Sequence, residues 1–280
     1  MKGFWCALAA AALWCSGTLP ATAGAAEAQN ESHLEQITHR GVIRIGLKKD
    51  VEGFSLKDPT TGEYIGFEAD LAGMVAKKLG VTPEFTTVTP ATRIDLLRTD
   101  NLDLVIANFT ITPQRQSQVD FSIPYFNDRL GVMVNRDSGF KVLRDLIGKK
   151  VAVVRSTTAP YALIKKLAAD QIVTTDVPEE QNFDPLSWTD SVTFAVYDYY
   201  SGAVEALENK QVDAFCADQT QLESHRKSTR VYLKDFFGGE EFAMATRKGS
   251  DLIAELNKLL EQWQEDGTIA ELLMQYGLEP

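Results

Sequence analysis

Residues 102–122 read LDLVIANFTITPQRQSQVDFS. The stretch opens on an apolar run, Leu102 to Ala107, broken only by Asp103 and preceded by the turn pair Asp100-Asn101. A short run without alternation is the pattern of a strand buried on both faces of a sheet. Thr112-Pro113 then marks a helix start, with Thr as N-cap and Pro in the first helical position. Asn108, Phe109, Thr110 and Ile111 fall between strand end and helix start, where the ligands of a parallel sheet collect. Arg115 lies in the first helical turn, so its guanidinium reaches back over the same spot. Amide donors, a helix N-terminus and a planar fork together make a cradle for a carboxylate. A surface arginine beside an ordinary capped helix is the plainer reading, and it stays open at this point.

Working outward, the same logic recurs. Lys149–Val154 reads as a second buried strand. Arg155-Ser156-Thr157-Thr158-Ala159-Pro160 follows as a hydroxyl-rich loop, and then a helix from about Tyr161 to Ala169. Two such cradles on facing lobes would grip a small anion. Other strands are expected at Val42–Leu47, Phe85–Val88, Leu130–Val134, Val192–Tyr199, Val212–Ala217 and Glu241–Thr246. Helices are expected at Glu68–Leu79, Arg93–Arg98 and Ser201–Lys210, with two more closing the chain. Strands alternating with helices imply a parallel sheet. Residues 172–190 form a polar, acidic insert with Pro178 and Pro185, read as a surface loop.

Composition narrows the partners. The 280 residues hold two modest α/β domains, and a net charge of −11 argues against nucleic acid. Residues 1–23 read as a cleavable signal peptide: Lys2, an apolar Phe4–Trp14, then Ala21-Thr22-Ala23. Trp14 before Cys15 is too bulky for a lipidation site. Residues 24–39 read as a polar leader. Cleavage leaves Cys216 alone, as a small core residue. His33, His39 and His225 show no metal-ligand spacing and support no catalytic triad, so no cofactor or metal is expected.

The motifs Gly66-Phe67-Glu68-Ala69-Asp70-Leu71 and Ile111-Thr112-Pro113-Gln114-Arg115 carry a resemblance. From about Gly41 to Gly277 the chain resembles the extracellular solute-binding proteins (family 3 type) of amino-acid ABC transporters. Gly46-Leu47-Lys48, Thr92-Arg93-Ile94-Asp95-Leu96-Leu97 and Asn108-Phe109-Thr110 make it look most like the glutamate/aspartate-binding members. The resemblance implies that Arg115 and Thr110 take the α-carboxylate, helped by Ser156, Thr157 and Thr158, with Asn108 in the same cradle. It also implies that Asp218 takes the α-ammonium and that Lys48 and Arg93 take the side-chain carboxylate. Taken alone, Asp218 reads equally as an N-cap, Lys48 as a solvated loop lysine and Arg93 as a solvated helix position. Asp95 stands where proline is usual, Asn108 where Ser or Thr is usual, and Arg155 has no assigned role.

The resulting expectation is an α/β, two-lobed periplasmic-binding-protein (type II) fold with a mixed, mostly parallel sheet in each lobe. Lobe 1 comprises 40–134 and 247–280, lobe 2 comprises 135–246, and the hinge crossings fall near Asn135 and Arg247. The expected protein is a periplasmic monomer, not an enzyme. It closes on glutamate or aspartate and delivers it to the permease subunits of an ABC transporter. The alternatives are a binder of a neutral polar amino acid such as glutamine, a cyclohexadienyl-type dehydratase on the same fold, and a sensory partner domain.

Overall fold

In the computed structural model, which describes Met1 and residues 31–278, twelve strands and nine α-helices are formed. The expected signal peptide lies outside the described residues. The strands are β1 Val42–Leu47, β2 Asp50–Val51, β3 Ser55–Lys57, β4 Tyr64–Ile65, β5 Thr82–Thr87, β6 Leu104–Val105, β7 Val119–Asn135, β8 Lys149–Val154, β9 Val192–Tyr197, β10 Ala214–Asp218, β11 Arg230–Tyr232 and β12 Phe237–Arg247. The helices are α1 His33–Arg40, α2 Phe67–Leu79, α3 Arg93–Arg98, α4 Pro113–Gln116, α5 Ala159–Ala169, α6 Tyr200–Glu208, α7 Gln219–Ser224, α8 Leu252–Glu265 and α9 Thr268–Gln275.

The main sheet runs β5-β1-β6-β12-β7-β10-β8-β9, with β11 beside β7. β1 is parallel to β5 and β6, and β8 is parallel to β9 and β10. Between these two parallel triplets lies one long antiparallel pair, β7 and β12. Each triplet with its helices is one half of the α/β architecture, and among the described residues the long pair is the ladder that belongs to both.

That pair moves the crossings from where the sequence suggested. Ala245 of β12 pairs with Val105 in the first half, whereas Leu130 of β7 pairs with Asp218 in the second. The passage therefore lies inside the strands, between Phe126/Phe242 and Leu130/Phe237. Asn135 sits at the far end of β7, where its side-chain amide donates to the Leu207 carbonyl, and Arg247 pairs with Val119. The sequence reading took only Leu130–Val134 of this strand, and β7 runs on through Pro124 and Asn127-Asp128. In a two-stranded ribbon that is only partly covered, such residues are tolerated at bulges. β12 carries the matching irregularity: its register shifts between Phe237 and Glu240, across Gly238, whose φ is 65°. Glycine adopts that conformation without a Cβ penalty, so the bulge forms there.

On its first-half side the ribbon rests on aromatic rings. Phe126 lies 5.9 Å from Phe242 and 5.1 Å from Phe54, which in turn meets Phe67 at 6.1 Å. Burying each ring stabilises the fold by about 1.5–3 kcal/mol. Phe67 opens α2, and the residue before it must be glycine: Gly66 has φ 128°, and a Cβ there would lie 2.4 Å from the Phe54 carbonyl oxygen.

The supposed polar leader is structured from Ser32 onward. Ser32 and Glu35 form a reciprocal capping box at the start of α1, and Ile37 is buried. Its His33 ring contacts Ser250 Oγ at 2.6 Å and Asp103 Oδ1 at 3.3 Å. Arg40 and Arg44 also grip Asp103, at 2.5 and 2.7 Å. The sequence reading missed this knot because its members lie up to 217 residues apart.

Candidate functional site

The two cradles are built alike. β6 leads into Asn108 at φ 43°, and β8 is followed by Ser156 at φ 59°, both in the left-handed region. A left-handed residue just past the strand turns the next residues across the sheet's end instead of along it. Asn and Ser accept that conformation more readily than β-branched residues do, which rationalises Asn108 in place of Thr. The Asn108 N–H donates to Glu68 Oε1 at 2.6 Å, and the Tyr125 hydroxyl donates to the same oxygen at 2.5 Å. Glu68 thus ties α2 and β7 to the loop. Burial, partly offset by these hydrogen bonds, pushes its carboxyl above the usual range. Thr112 caps α4 as expected, its hydroxyl accepting from the Arg115 N–H at 3.2 Å.

Three cations line up behind the cradles. Lys48 and Arg93 are each 2% exposed and Arg115 is 8% exposed. Lys48 Nζ donates to the Tyr200 hydroxyl at 3.4 Å and lies 5.0 Å from that ring's centre. Arg93 donates to the Ala107 and Asn108 carbonyls at 2.7 and 3.3 Å, and its guanidinium lies 3.7 Å from the centre of the Phe109 ring. Arg115 donates to the Thr110 carbonyl at 2.8 Å and to the Ser156 carbonyl at 3.0 Å. The solvated readings of Lys48 and Arg93 are excluded by this burial. Burial and the neighbouring Arg93 pull Lys48 down to about 8, and burial with Arg115 pulls Arg93 down to about 9. Each protonated form lacks a nearby counter-charge strong enough to offset desolvation.

Asp218 ends β10 and is buried. The Tyr200 hydroxyl donates toward it at 3.5 Å, so Tyr200 sits between Lys48 and Asp218. Asp218 stands at the N-cap position of α7, as the N-cap reading had it, but its side chain makes no capping hydrogen bond there. Burial, with Asp128 and Glu240 nearby, pushes its carboxyl up to about 7.

The lobe 2 hydroxyls are placed differently from expectation. Thr157 Oγ1 donates to the Val154 carbonyl at 2.7 Å, closing its own turn, and Thr158 Oγ1 donates to Glu240 Oε2 at 2.9 Å. Glu240 faces Asp128 across the bulged ribbon and also bonds Thr110. The sequence reading missed Tyr200, Glu68 and Glu240. Only Tyr200 carried a usable signal, since it begins a helix just past a strand end.

Side chains already bridge the halves. Besides the Arg115–Ser156 and Lys48–Tyr200 contacts, the Tyr200 N–H donates to Asp50 Oδ2 at 3.1 Å and Lys49 Nζ lies 4.3 Å from the Tyr199 ring centre. Outside this layer a chamber of about 450 Å³ opens, bounded by both halves and by the insert. Among the expected site residues, Arg115, Ser156 and Thr157 line it, while Lys48, Arg93 and Asp218 lie deeper.

The Ser250–His33–Asp103 contacts form a Ser-His-Asp array, yet Ser250 is buried and its Oγ accepts from the Leu252 N–H at 3.2 Å. With Asp103 gripped by two arginines, the array is a tie between chain ends. The nearby His33, Asp100 and Asp103 could in principle hold a cation, but the same arginines already neutralise Asp103.

Fold and site together define an amino-acid-binding α/β protein with its cradles at the strand ends of two halves. The chain belongs to the family described as bacterial extracellular solute-binding proteins, family 3, whose pattern matches residues 43–279. It is 29% identical over 256 residues to the ABC transporter glutamine-binding protein GlnH of Bacillus subtilis (strain 168), covering 88% of this chain and 86% of that one. The glutamine-binding protein of Geobacillus stearothermophilus is 32% identical over 221 residues, covering 77% and 76%. The crystal structure of the ancestral amino acid-binding protein AncCDT-1, a precursor of cyclohexadienyl dehydratase, superposes with a TM-score of 0.73. It is 31% identical and covers 88% of this chain and 99% of that one. Other relatives are named for cystine and arginine. The expected likeness to glutamate/aspartate binders in particular is thus replaced by likeness to binders of several amino acids.

Proposed function

We propose that this protein captures an acidic amino acid, glutamate or aspartate, between its lobes outside the cytoplasmic membrane. In this reading it acts as a binder and passes the ligand to the permease of an ABC transporter. One observation carries the choice of ligand: Lys48, Arg93 and Arg115 are all buried, and their hydrogen-bond partners are a phenol and backbone carbonyls, not carboxylates. Buried cations without a paired anion are costly, and a ligand with two carboxylates offsets that cost. Asp218 then receives the α-ammonium.

A neutral polar ligand such as glutamine is the second reading. The names of two relatives favour it, as does Asn108, whose buried amide nitrogen and oxygen lack partners among the described residues. A free donor beside a free acceptor is what a carboxamide requires. Dehydratase chemistry on this fold needs a carboxylic acid held protonated; Asp218 and Glu240, both raised, supply two. Incubation with prephenate, followed by ultraviolet detection of phenylpyruvate, tests that reading.

The deciding experiment is a calorimetric screen of the common amino acids and cystine on refolded, ligand-stripped protein. Glutamate or aspartate should bind tightest; glutamine or arginine in first place overturns the acidic reading.

A further inference from the structure

The chamber outside the cradles is a built space. Its outer wall is the insert, and the insert is tied down. Asp190 Oδ2 accepts from the N–H groups of Thr174 and Thr175 and from the Thr175 hydroxyl at 2.6–3.1 Å. Trp188 Nε1 donates to the Asp190 carbonyl at 2.9 Å, and the Tyr161 hydroxyl donates to the Pro178 carbonyl at 3.2 Å. The Phe183 ring lies 5.5 Å from Tyr161 and 5.6 Å from Trp188. What reads in sequence as a loose loop therefore stands as a wall opposite Ile94 and Gln118, with Leu186 on it 63% exposed.

The chamber's inner end is Arg115 with Ser156, which is where the amino acid's α-carboxyl group is placed. Charge differs between the two ends of the site. Burial and Arg93 pull Lys48 down despite Asp218, Glu68 and Asp50, and burial and Arg115 pull Arg93 down despite Glu68, so the deep end still favours an anion. Arg115 instead has the carboxylates of Glu240, Glu180 and Asp218 acting on it. These carboxylates offset part of its burial, so a peptide carbonyl accepting from its N–H groups can stand in for one oxygen of the free carboxylate there. A volume of about 450 Å³ is also within the range that holds a ligand larger than one amino acid.

We infer that the chamber is a second subsite, taking a residue joined by a peptide bond to the α-carboxyl of the amino acid in the cradles. The ligand class then includes α-linked dipeptides with an acidic amino-terminal residue. This rests on the reading of the inner site given above. Extension from the side-chain end is excluded, because Lys48 and Arg93 are enclosed there.

Calorimetry with glutamate, α-Glu-Ala, γ-Glu-Ala and Gln-Ala tests it, on the wild type and on Leu186→Trp and Gln181→Trp, two exposed insert positions. Wild-type affinity for α-Glu-Ala should lie within about tenfold of that for glutamate, with γ-Glu-Ala weaker by about 100-fold or more. Each tryptophan should fill the chamber and weaken α-Glu-Ala by about tenfold or more, leaving glutamate within about twofold. An α-Glu-Ala affinity about 100-fold below that of glutamate, or equal losses for both ligands in the variants, overturns the subsite. If glutamine binds and glutamate does not, the acidic reading fails by itself. The comparison of glutamine with Gln-Ala, in the same variants, then decides the chamber. Binding of no amino acid overturns both.

Discussion

Titrating the binding of glutamate and glutamine side by side, from about pH 6 to about pH 9.5, isolates Lys48 because only glutamate brings a charge to its amine. Lys48 is held at about 8 by burial and by Arg93. A carboxylate beside it favours the ammonium form, so the complex holds a proton that free protein gives up above that pH. Binding then takes up a proton, and glutamate affinity declines as pH rises past about 8. The decline is about tenfold per unit, so at about pH 9.5 it is roughly 30-fold, or ~2 kcal/mol. Glutamine meets the neutral amine with an amide and loses nothing by this route. Deprotonation of the ligand's own α-ammonium affects both amino acids, so it cancels in the ratio of their affinities.

The acid limb has the opposite sign. Asp218 stands at about 7, and an α-ammonium beside it favours its ionised form, so binding releases a proton below that pH. Both ligands lose affinity there, and their ratio stays flat. Calorimetry in two buffers of different ionisation enthalpy reads both the affinities and the protons exchanged. The ratio should be level up to about pH 8 and fall beyond it, and Lys48→Arg should keep it level up to about pH 9, where Arg93 begins to lose its proton. A wild-type ratio constant to about pH 9.5, or proton release with glutamate at about pH 8.5, would refute the placing of Lys48 against the side-chain carboxylate.

Arg115→Ala should weaken every amino-acid ligand, whereas Lys48→Ala should cost acidic ligands about 1–3 kcal/mol and narrow their margin over glutamine; equal losses in the second variant remove the division of roles. Asp103→Asn should destabilise the fold by roughly 3 kcal/mol in urea titrations, by removing the buried carboxylate that Arg40 and Arg44 share. Burial would raise the Asp103 carboxyl, but bonds from His33 and Arg44 outweigh it and hold it below the usual range. Its contribution is therefore present at neutral pH and is lost only as strong acid reaches that depressed value. Gly66→Ala should cost about 3 kcal/mol or more, since its Cβ would strike the Phe54 backbone; a near-neutral result in thermal melts would mean that loop moves freely. Saturating ligand should reduce the radius of gyration in small-angle scattering of wild-type protein, and Thr157→Ala with Thr158→Ala should blunt the change; full compaction of the double variant removes these two hydroxyls from the grip.

The parts of the site that sequence revealed are those made by short, local patterns. Thr112-Pro113 before Arg115, and Ser156 to Pro160 after β8, announce strand ends meeting helix starts, and the side chains there point where the backbone puts them. Lys48, Arg93 and Asp218 needed the resemblance, because nothing local distinguishes a buried charge from a solvated one. Glu68 and Glu240 were invisible for a related reason. An acid in the first turn of a helix or in a strand has an ordinary surface explanation, and only tertiary packing brings Glu68 to the Asn108 amide or Glu240 to Thr158. The ligand's charge type falls in the same gap: three relatives of similar pattern are named for glutamine and cystine, and the acidic ligand proposed above rests on the buried cations alone.

The strands pass between the halves of the sheet away from Asn135 and Arg247, because local signals marked the ends of two strands and not their middles. Asn135-Arg136 and Arg247-Lys248 are polar and look like boundaries, but they lie where β7 and β12 finish, each within one half of the sheet. The passage itself is marked by what the ribbon loses in the middle. On one side, the Phe126/Phe242 pair is locked into rings of the first half. On the other, Leu130 is locked against Asp218 of β10. Between them stand a register shift, Gly238 in a left-handed conformation, and Asp128 opposite Glu240. Facing acids weaken a cross-strand pair, and a bulge removes ladder hydrogen bonds, so bending costs least there. Glu240 nevertheless bonds Thr110 of one half and Thr158 of the other. The irregular stretch of the ribbon therefore also carries a side chain bonded to both halves, so a charge placed beside it bears on the contact between them.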